Sequence, residues 1–236
     1  MAIYKNTPPI VTNGLICNLD AGNRLSYPGS GTTWSDLSGN NNSGSLVSSP
    51  VFSSADLGSI TTNGTSNYVA LPVNSAWNFG TSSFSIEVWF KAITGASFSN
   101  LVRYDTGLSA GLWWLQVSST NANFIIYSSN RSTNSSVSIG SLTLTDGNWH
   151  NIVGVRDSGS LMRIYYNGAL GATAAESAGI NIVAGSGAYP SIGRLGSFNG
   201  EYSPFTVSNL RIYNRTLSAQ EVAQNYNALK SRFKRS

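Results

Sequence analysis

Cleavage of a sugar linkage needs two carboxylates about 5 to 9.5 Å apart, one to protonate the leaving oxygen and one to attack or to activate water. On a β-strand such a pair stands two or four residues apart on one face. Glu87 is the acid best placed for this, inside Phe84-Ser85-Ile86-Glu87-Val88-Trp89-Phe90-Lys91, yet Ser85 and Trp89 fill the neighbouring positions of its face. Glu87 therefore reads as a solvent-facing or hydrogen-bonded strand residue, and a glycosidase is not expected. His150 is the sole histidine. A triad base needs a nucleophile and an orienting acid beside it. None is signalled around Trp149-His150-Asn151-Ile152, so His150 reads as structural. Nucleophile elbows, phosphate loops and paired-histidine metal motifs do not occur in the sequence.

Calcium chemistry has a better foothold. The ion takes six to eight oxygens from carboxylates, amide side chains and loop carbonyls. Asp20 ends a strand-like run and Asp36 opens Asp36-Leu37-Ser38-Gly39-Asn40-Asn41-Asn42, so the loop between them can bring both acids to one rim. The competing reading is that Asp36 only closes an Asx-turn through Ser38 or Gly39. Sugar recognition would use aromatic faces with amide, acid and guanidinium hydrogen bonds. Trp113 and Trp114 are adjacent and must point to opposite faces of a strand, while Tyr127, Tyr189 and Asn199 fall near strand ends or loops. Most of the six tryptophans are expected to be packing residues, and no glycan site follows from the sequence.

The elements that would carry these residues are β-strands. Apolar residues make up 41% of the 236-residue chain and charged ones only 10%, against about 25% in an average domain. Polarity must come from Ser, Thr, Asn and Gly, the composition of short strands joined by many turns. Strand signals recur at sandwich spacing: Leu15-Cys17-Leu19 alternating with polar neighbours, then 68–71, 84–91, 112–117, 124–127, 137–144, 149–156, 161–166, 169–172, 191–194 and 207–213. In 84–91 Phe84, Ile86, Val88 and Phe90 share one face. Asn167-Gly168 predicts a type I′ hairpin turn. Ser218-Ala219-Gln220-Glu221 has capping-box spacing, and Val222, Tyr226, Leu229 and Phe233 form the apolar stripe of one C-terminal helix.

The expected organisation is an extended arm over 1–13, set by Pro8 and Pro9, one sandwich over 14–217, and a helix with a basic tail over 218–236 packed on it. The positive charge gathers at the end, where Arg211, Arg215, Lys230, Arg232, Lys234 and Arg235 face only Glu221. The body has no basic groove for a phosphate backbone, so no nucleic-acid partner is expected. Cys17 is the only cysteine, which excludes an internal disulfide. The opening residues carry no signal-peptide pattern and no run reaches about 18 apolar residues, so membrane insertion is not expected and synthesis in a cytoplasm is.

Trp149-His150-Asn151-Ile152-Val153, followed by Tyr165-Tyr166-Asn167-Gly168, resembles the Trp-His motif and hairpin of laminin-G-like members of the concanavalin A-like lectin/glucanase superfamily. Val207 to Gln224 is similar to the end of the same family. The resemblance implies an all-β, two-sheet antiparallel jelly-roll sandwich with a short C-terminal helix. The family's glucanases carry a Glu-x-Asp-x-x-Glu cluster that this sequence lacks. Members often hold calcium at a loop rim, which keeps Asp20 and Asp36 as metal candidates. Thr7 to Leu46 resembles the opening of virion structural proteins of tailed phages, notably those of marine cyanobacteria. That resemblance implies a non-enzymatic capsid-decoration protein, or a tail- or fibre-associated adhesin, at the virion surface after assembly in the host cytoplasm. Its partners would be other capsid or tail subunits, further copies of itself and host-surface polysaccharide.

Overall fold

The computed structural model describes residues 8–55, 58–93, 99–105, 111–129, 131–158, 160–183, 187–194 and 201–233. In chain order the strands are β1 (Leu15–Asp20), β2 (Thr33–Trp34), β3 (Gly44–Val47), β4 (Val51–Ser53), β5 (Ser59–Asn63), β6 (Tyr68–Ala70), β7 (Phe84–Ala92) and β8 (Ser99–Asp105). There follow β9 (Leu112–Val117), β10 (Ala122–Tyr127), β11 (Asn134–Ile139), β12 (His150–Asp157), β13 (Leu161–Tyr166), β14 (Ala169–Ala175), β15 (Tyr189–Ile192), β16 (Pro204–Tyr213) and the helix α1 (Ala219–Phe233).

These strands form two antiparallel sheets. The first runs β14-β13-β12-β7-β16-β5-β4 with β1 also paired to β16; the second runs β11-β10-β9-β8-β15-β6-β3-β2. One β16 strand serves both β5 and β1 along one edge, and its pairing with β7 shifts register between Val207 and Asn209. Residues 204–207 pair with β5 and 209–213 with β1, while β7 lies along its other edge. This is the all-β sandwich with one C-terminal helix that the sequence predicts.

The inward residues of both sheets interdigitate, as alternation requires. Phe84, Ile86, Val88 and Phe90 of β7 meet Trp113, Leu115, Phe124 and Ile126 of the opposite sheet in one core. Gly154 sets the sheet separation at one point: a Cβ there would lie 2.6 Å from the Phe124 ring. Asn167 (φ 49°) and Gly168 (φ 82°) make the left-handed turn predicted between β13 and β14. Gly168 is doubly required, since a Cβ would also strike the Tyr226 ring at 2.7 Å.

Two sequence readings are corrected by local geometry. Leu15 does not share the face of Cys17 and Leu19, because β1 is bulged between Leu15 and Cys17. Leu15 packs instead against Val11, Tyr213, Leu217 and Val222, and Ile16 joins the main core. The strand placed at 137–144 is β11, which begins three residues earlier and ends five earlier, at Asn134–Ile139. Strands β2 to β5 and β8 carried no usable periodicity. The first four are two to five residues long, and β8 is bulged between Asn100 and Val102.

The helix and arm cover the outer face of the first sheet. Ser218 and Glu221 make the capping box: the serine hydroxyl accepts from the Glu221 amide at 3.2 Å and Glu221 accepts from the Ser218 amide at 2.9 Å. Tyr226 and Phe233 stack on Trp89 at 5.4 and 4.4 Å between ring centroids. The described part of the arm is pinned across this layer, with the Val11 amide donating to Asn225 Oδ1 at 2.8 Å and Gln224 donating to the Pro9 carbonyl at 2.8 Å.

Candidate functional site

Glu87 is fully buried beneath α1, so the solvent-facing alternative for it is excluded. Its carboxylate accepts from Asn151 Nδ2 at 3.1 Å and Asn225 Nδ2 at 2.9 Å, and Arg211 Nη1 lies 3.3 Å from Oε2. That last contact is between charges rather than a directed hydrogen bond, for Arg211 Nη1 has no hydrogen-bond partner among the described residues. Asn225 also donates to Tyr213, whose hydroxyl donates to the Val11 carbonyl. Burial, and then the Glu87 charge, hold the Tyr213 phenol well above its ordinary pKa. This network ties helix, arm and sheet together and leaves Glu87 no access to substrate.

His150 is buried with both ring nitrogens engaged, Nδ1 at 2.8 Å from the Tyr166 hydroxyl and Nε2 at 2.9 Å from Asp146 Oδ1. The orienting acid that the sequence did not signal is Asp146, four residues earlier. Burial raises the Asp146 pKa, but hydrogen bonds from Asn148 and His150 outweigh it and hold the carboxyl below its ordinary value. A tyrosine hydroxyl occupies the position where a triad would need its nucleophile.

The two metal candidates are engaged separately. Asp36 accepts four hydrogen bonds, from the Asn18, Ser38 and Asn42 amides and the Ser38 hydroxyl, at 2.7 to 3.0 Å. The Asx-turn through Ser38 is therefore formed. Asp20 accepts from the Gly22 amide at 2.9 Å and from Arg232 Nη1 at 2.7 Å. A calcium ion shared by both would have to displace these donors. Arg232 and Tyr27, Phe52 and Arg24 line a cleft of about 540 Å³ beside Asp20, but Arg232 is spent on Asp20, Ser208 and the Gly58 carbonyl.

The second sheet turns a different face outward. Trp113 is buried in the core, where its ring nitrogen donates to the Trp77 carbonyl at 3.2 Å. Trp114 points the other way, as adjacent strand residues must. Across β8, β9 and β10 the outward side chains form a row. The Arg103 guanidinium lies 4.2 Å over the Trp114 ring, and Trp114 stacks on Tyr127 at 5.5 Å and 12° between planes. Tyr127 ends the row beside β11, whose outward Asn134, Ser136 and Ser138 are exposed. Toward β6 a second group repeats the pattern, with Arg194 at 4.5 Å over Tyr68 and 5.7 Å over Tyr202.

One carboxylate sits at the centre. Asp105 accepts from Arg103 Nε and Nη2 at 3.2 and 2.7 Å through one oxygen, and from Arg131 Nη2 at 2.6 Å through the other. Burial of the Arg103 guanidinium lowers its pKa, and its hydrogen bond to Asp105 opposes that. Tyr189 lies opposite Asp105 in the β15 register, and burial with the Tyr189 hydroxyl raises the Tyr68 pKa. Tyr127, Tyr189 and one of the paired tryptophans were legible as sugar candidates; Asn199 lies outside the described residues. Arg103, Asp105, Arg131 and Arg194 were not, because only the sheet order brings them together. The one available signal was the alternation Arg103-Tyr104-Asp105, which puts both charged residues on one face.

The family described as the concanavalin A-like lectin/glucanases superfamily matches residues 63–223. No curated protein matches the sequence. Among solved structures, the binding domain of Paraclostridial Mosquitocidal Protein 1 is similar with a TM-score of 0.72 at 17% identity, over 92% of this chain and 52% of that one. The binding domain of botulinum neurotoxin DC, solved in complex with rat synaptotagmin II, gives 0.69 at 15%, over 93% and 52%. A structure of botulinum neurotoxin type C, whose cell entry is described as dependent upon interaction with two ganglioside molecules, gives 0.68 at 16%, over 92% and 52%. At these identities the likeness shows the fold alone, and the chain spans about half the length of those structures.

Proposed function

The chain belongs to the concanavalin A-like lectin/glucanases superfamily, and from that premise we propose that it is a non-enzymatic glycan-binding sandwich displayed on a virion surface. The observation that carries the glycan reading is the contrast in how acids and aromatics are used. The acid best placed for catalysis, Glu87, is locked under α1, whereas the row Arg103-Trp114-Tyr127 faces outward with exposed Asn and Ser beside it. Stacked rings beside guanidinium groups suit a sugar, whose C–H face packs on an aromatic ring while its hydroxyls take directed hydrogen bonds. The similar solved structures are themselves termed binding domains, which supports the same reading.

Immobilised polysaccharides test it. Tyr127→Ala is expected to weaken retention at least about tenfold, the loss of one stacking contact, with an unchanged melting temperature. An array on which the protein binds no glycan, or on which Tyr127→Ala binds as well as the parent, removes the reading. No reducing sugar is expected to be released from any retained glycan.

Virion display rests on the resemblance of Thr7 to Leu46 to the opening of tailed-phage virion proteins. It fits the function physically, since many copies on one particle convert weak glycan contacts into avidity. Labelled antibody on purified particles checks it, and particles without label would overturn it.

A further inference from the structure

The outward face of the second sheet carries more positive than negative charge where it is most organised. Arg103 and Arg131 share the single carboxylate of Asp105. Arg194 stands in the neighbouring aromatic group, its Nη1 3.5 Å from the Tyr189 hydroxyl. Glu201 is the other acid within electrostatic reach of Arg103. Three guanidinia thus face two carboxylates.

Arg131 carries the unused capacity. Its side chain is 24% exposed, against 13% for Arg103 and 2% for Asp105, so it is the cation a solute meets first. One Nη2 contact at 2.6 Å ties it to Asp105, while its Nε is buried and has no hydrogen-bond partner among the described residues. Its backbone is held in the left-handed region at φ 55° within the connection between β10 and β11. That conformation costs a residue with a Cβ on the order of 1 kcal/mol, and strain of this kind collects at ligand sites. Here it delivers the guanidinium to Asp105, which also binds Arg103, the guanidinium that lies over Trp114. A planar guanidinium with free N–H groups matches carboxylate and sulfate oxygens in geometry as well as charge.

We infer that this face selects acidic saccharides, with a carboxylate or sulfate group of the sugar received by Arg131 beside Arg103 and the sugar ring resting against Tyr127. The inference rests on the glycan-binding reading and narrows it to a ligand class. Asp105 then has a positioning role: it holds the two guanidinia in one plane of approach and prevents their mutual repulsion from dispersing them.

The test uses the full chain with three immobilised polymers: polygalacturonate for carboxylates, dextran sulfate for sulfates, and unmodified dextran as the neutral counterpart. At least one acidic polymer is expected to bind about tenfold or more tighter than dextran. Arg131→Gln should reduce that binding about tenfold with its melting temperature retained. Raising the salt from about 0.05 to 0.5 M should weaken acidic binding in the parent, because exposed charge contacts are screened within a few ångströms at high salt. Salt dependence of the parent alone keeps the test valid if the variant is poorly folded. Dextran bound as tightly as both acidic polymers, or acidic binding indifferent to salt and to Arg131→Gln, overturns the acidic class while leaving a neutral-glycan function standing. Binding to none of the three, with an empty wider array, overturns the glycan reading itself and this inference with it.

Discussion

On the first sheet Trp89, Glu87 and Arg211 lie under a helix; on the second, Trp114 and Asp105 are also buried, but the arginines around them, Arg103 and Arg131, reach solvent. The residue types are the same and the arrangement is parallel: an indole stacked on other rings, an acid bonded to a guanidinium. What separates them is the cover. Beneath α1 the Glu87–Arg211 pair is 0% and 2% exposed, so its charges must satisfy each other and the amides around them. An ion pair in such a place gives little net stability, yet losing one partner is severe because the other is left charged without water. On the second sheet Arg103 and Arg131 keep contact with solvent, so their charges remain available to a ligand and their pairing with Asp105 is worth less to the fold.

The sharpest way to break this contrast is to remove one acid or cation from each side. Glu87→Ala leaves the Arg211 guanidinium buried without its counter-charge and should cost about 3 to 5 kcal/mol in urea unfolding, whereas Arg131→Gln should cost no more than about 1 kcal/mol. Similar losses from both would mean that the helix does not create the distinction. A smaller effect is expected from Phe233→Ala, which deletes the stacking partner of Trp89 and Trp149 at the end of α1. Its cost is about 2 to 4 kcal/mol, with faster amide exchange in α1 and β7 and glycan retention on the second sheet unchanged. Altered retention would show that the two faces are coupled.

A further effect comes from pH. Hydrogen bonding to Arg215, helped by the Ser218 amide, pushes the Glu221 carboxyl down to about 2 from an ordinary 4.5. A lowered folded-state pKa contributes stability that is complete above about 4.5 and is lost as pH falls toward about 2. The group is 29% exposed, so solvent screening limits the contribution to about 1 to 2 kcal/mol. Melting of the parent should therefore fall between those pH values by more than that of Glu221→Gln. Parallel pH curves for the two proteins would detach the helix cap from acid stability.

Much of the architecture was legible because it rests on local rules. The alternation in Phe84 to Lys91, the Asn167-Gly168 turn and the capping box at Ser218 each depend on neighbours two to four residues away, and each forms as read. The same rules fail where one residue breaks the period. The bulge before Cys17 moved Leu15 to the helix side, and very short strands such as β2 and β4 offered too few positions for any period to be seen. Asn225 shows a different limit. It is a polar residue inside a helix, and nothing nearby indicates that it would be fully buried, bonded at once to Glu87, Tyr213 and Val11.

The sequence by itself determined that short alternating strands must stack into two sheets with one capped helix to follow, since hydrophobic periodicity, turn residues and caps act over a few residues. It also determined which residue types were on hand for binding. Only the tertiary structure decided which acid would be sealed under a helix and which would be held between arginines that reach solvent. Asp105 and Arg131 are 26 residues apart, and Glu87 and Asn225 are 138 apart. Such contacts are set by strand order and by which sheet the helix lies on, and no local pattern in a chain encodes either.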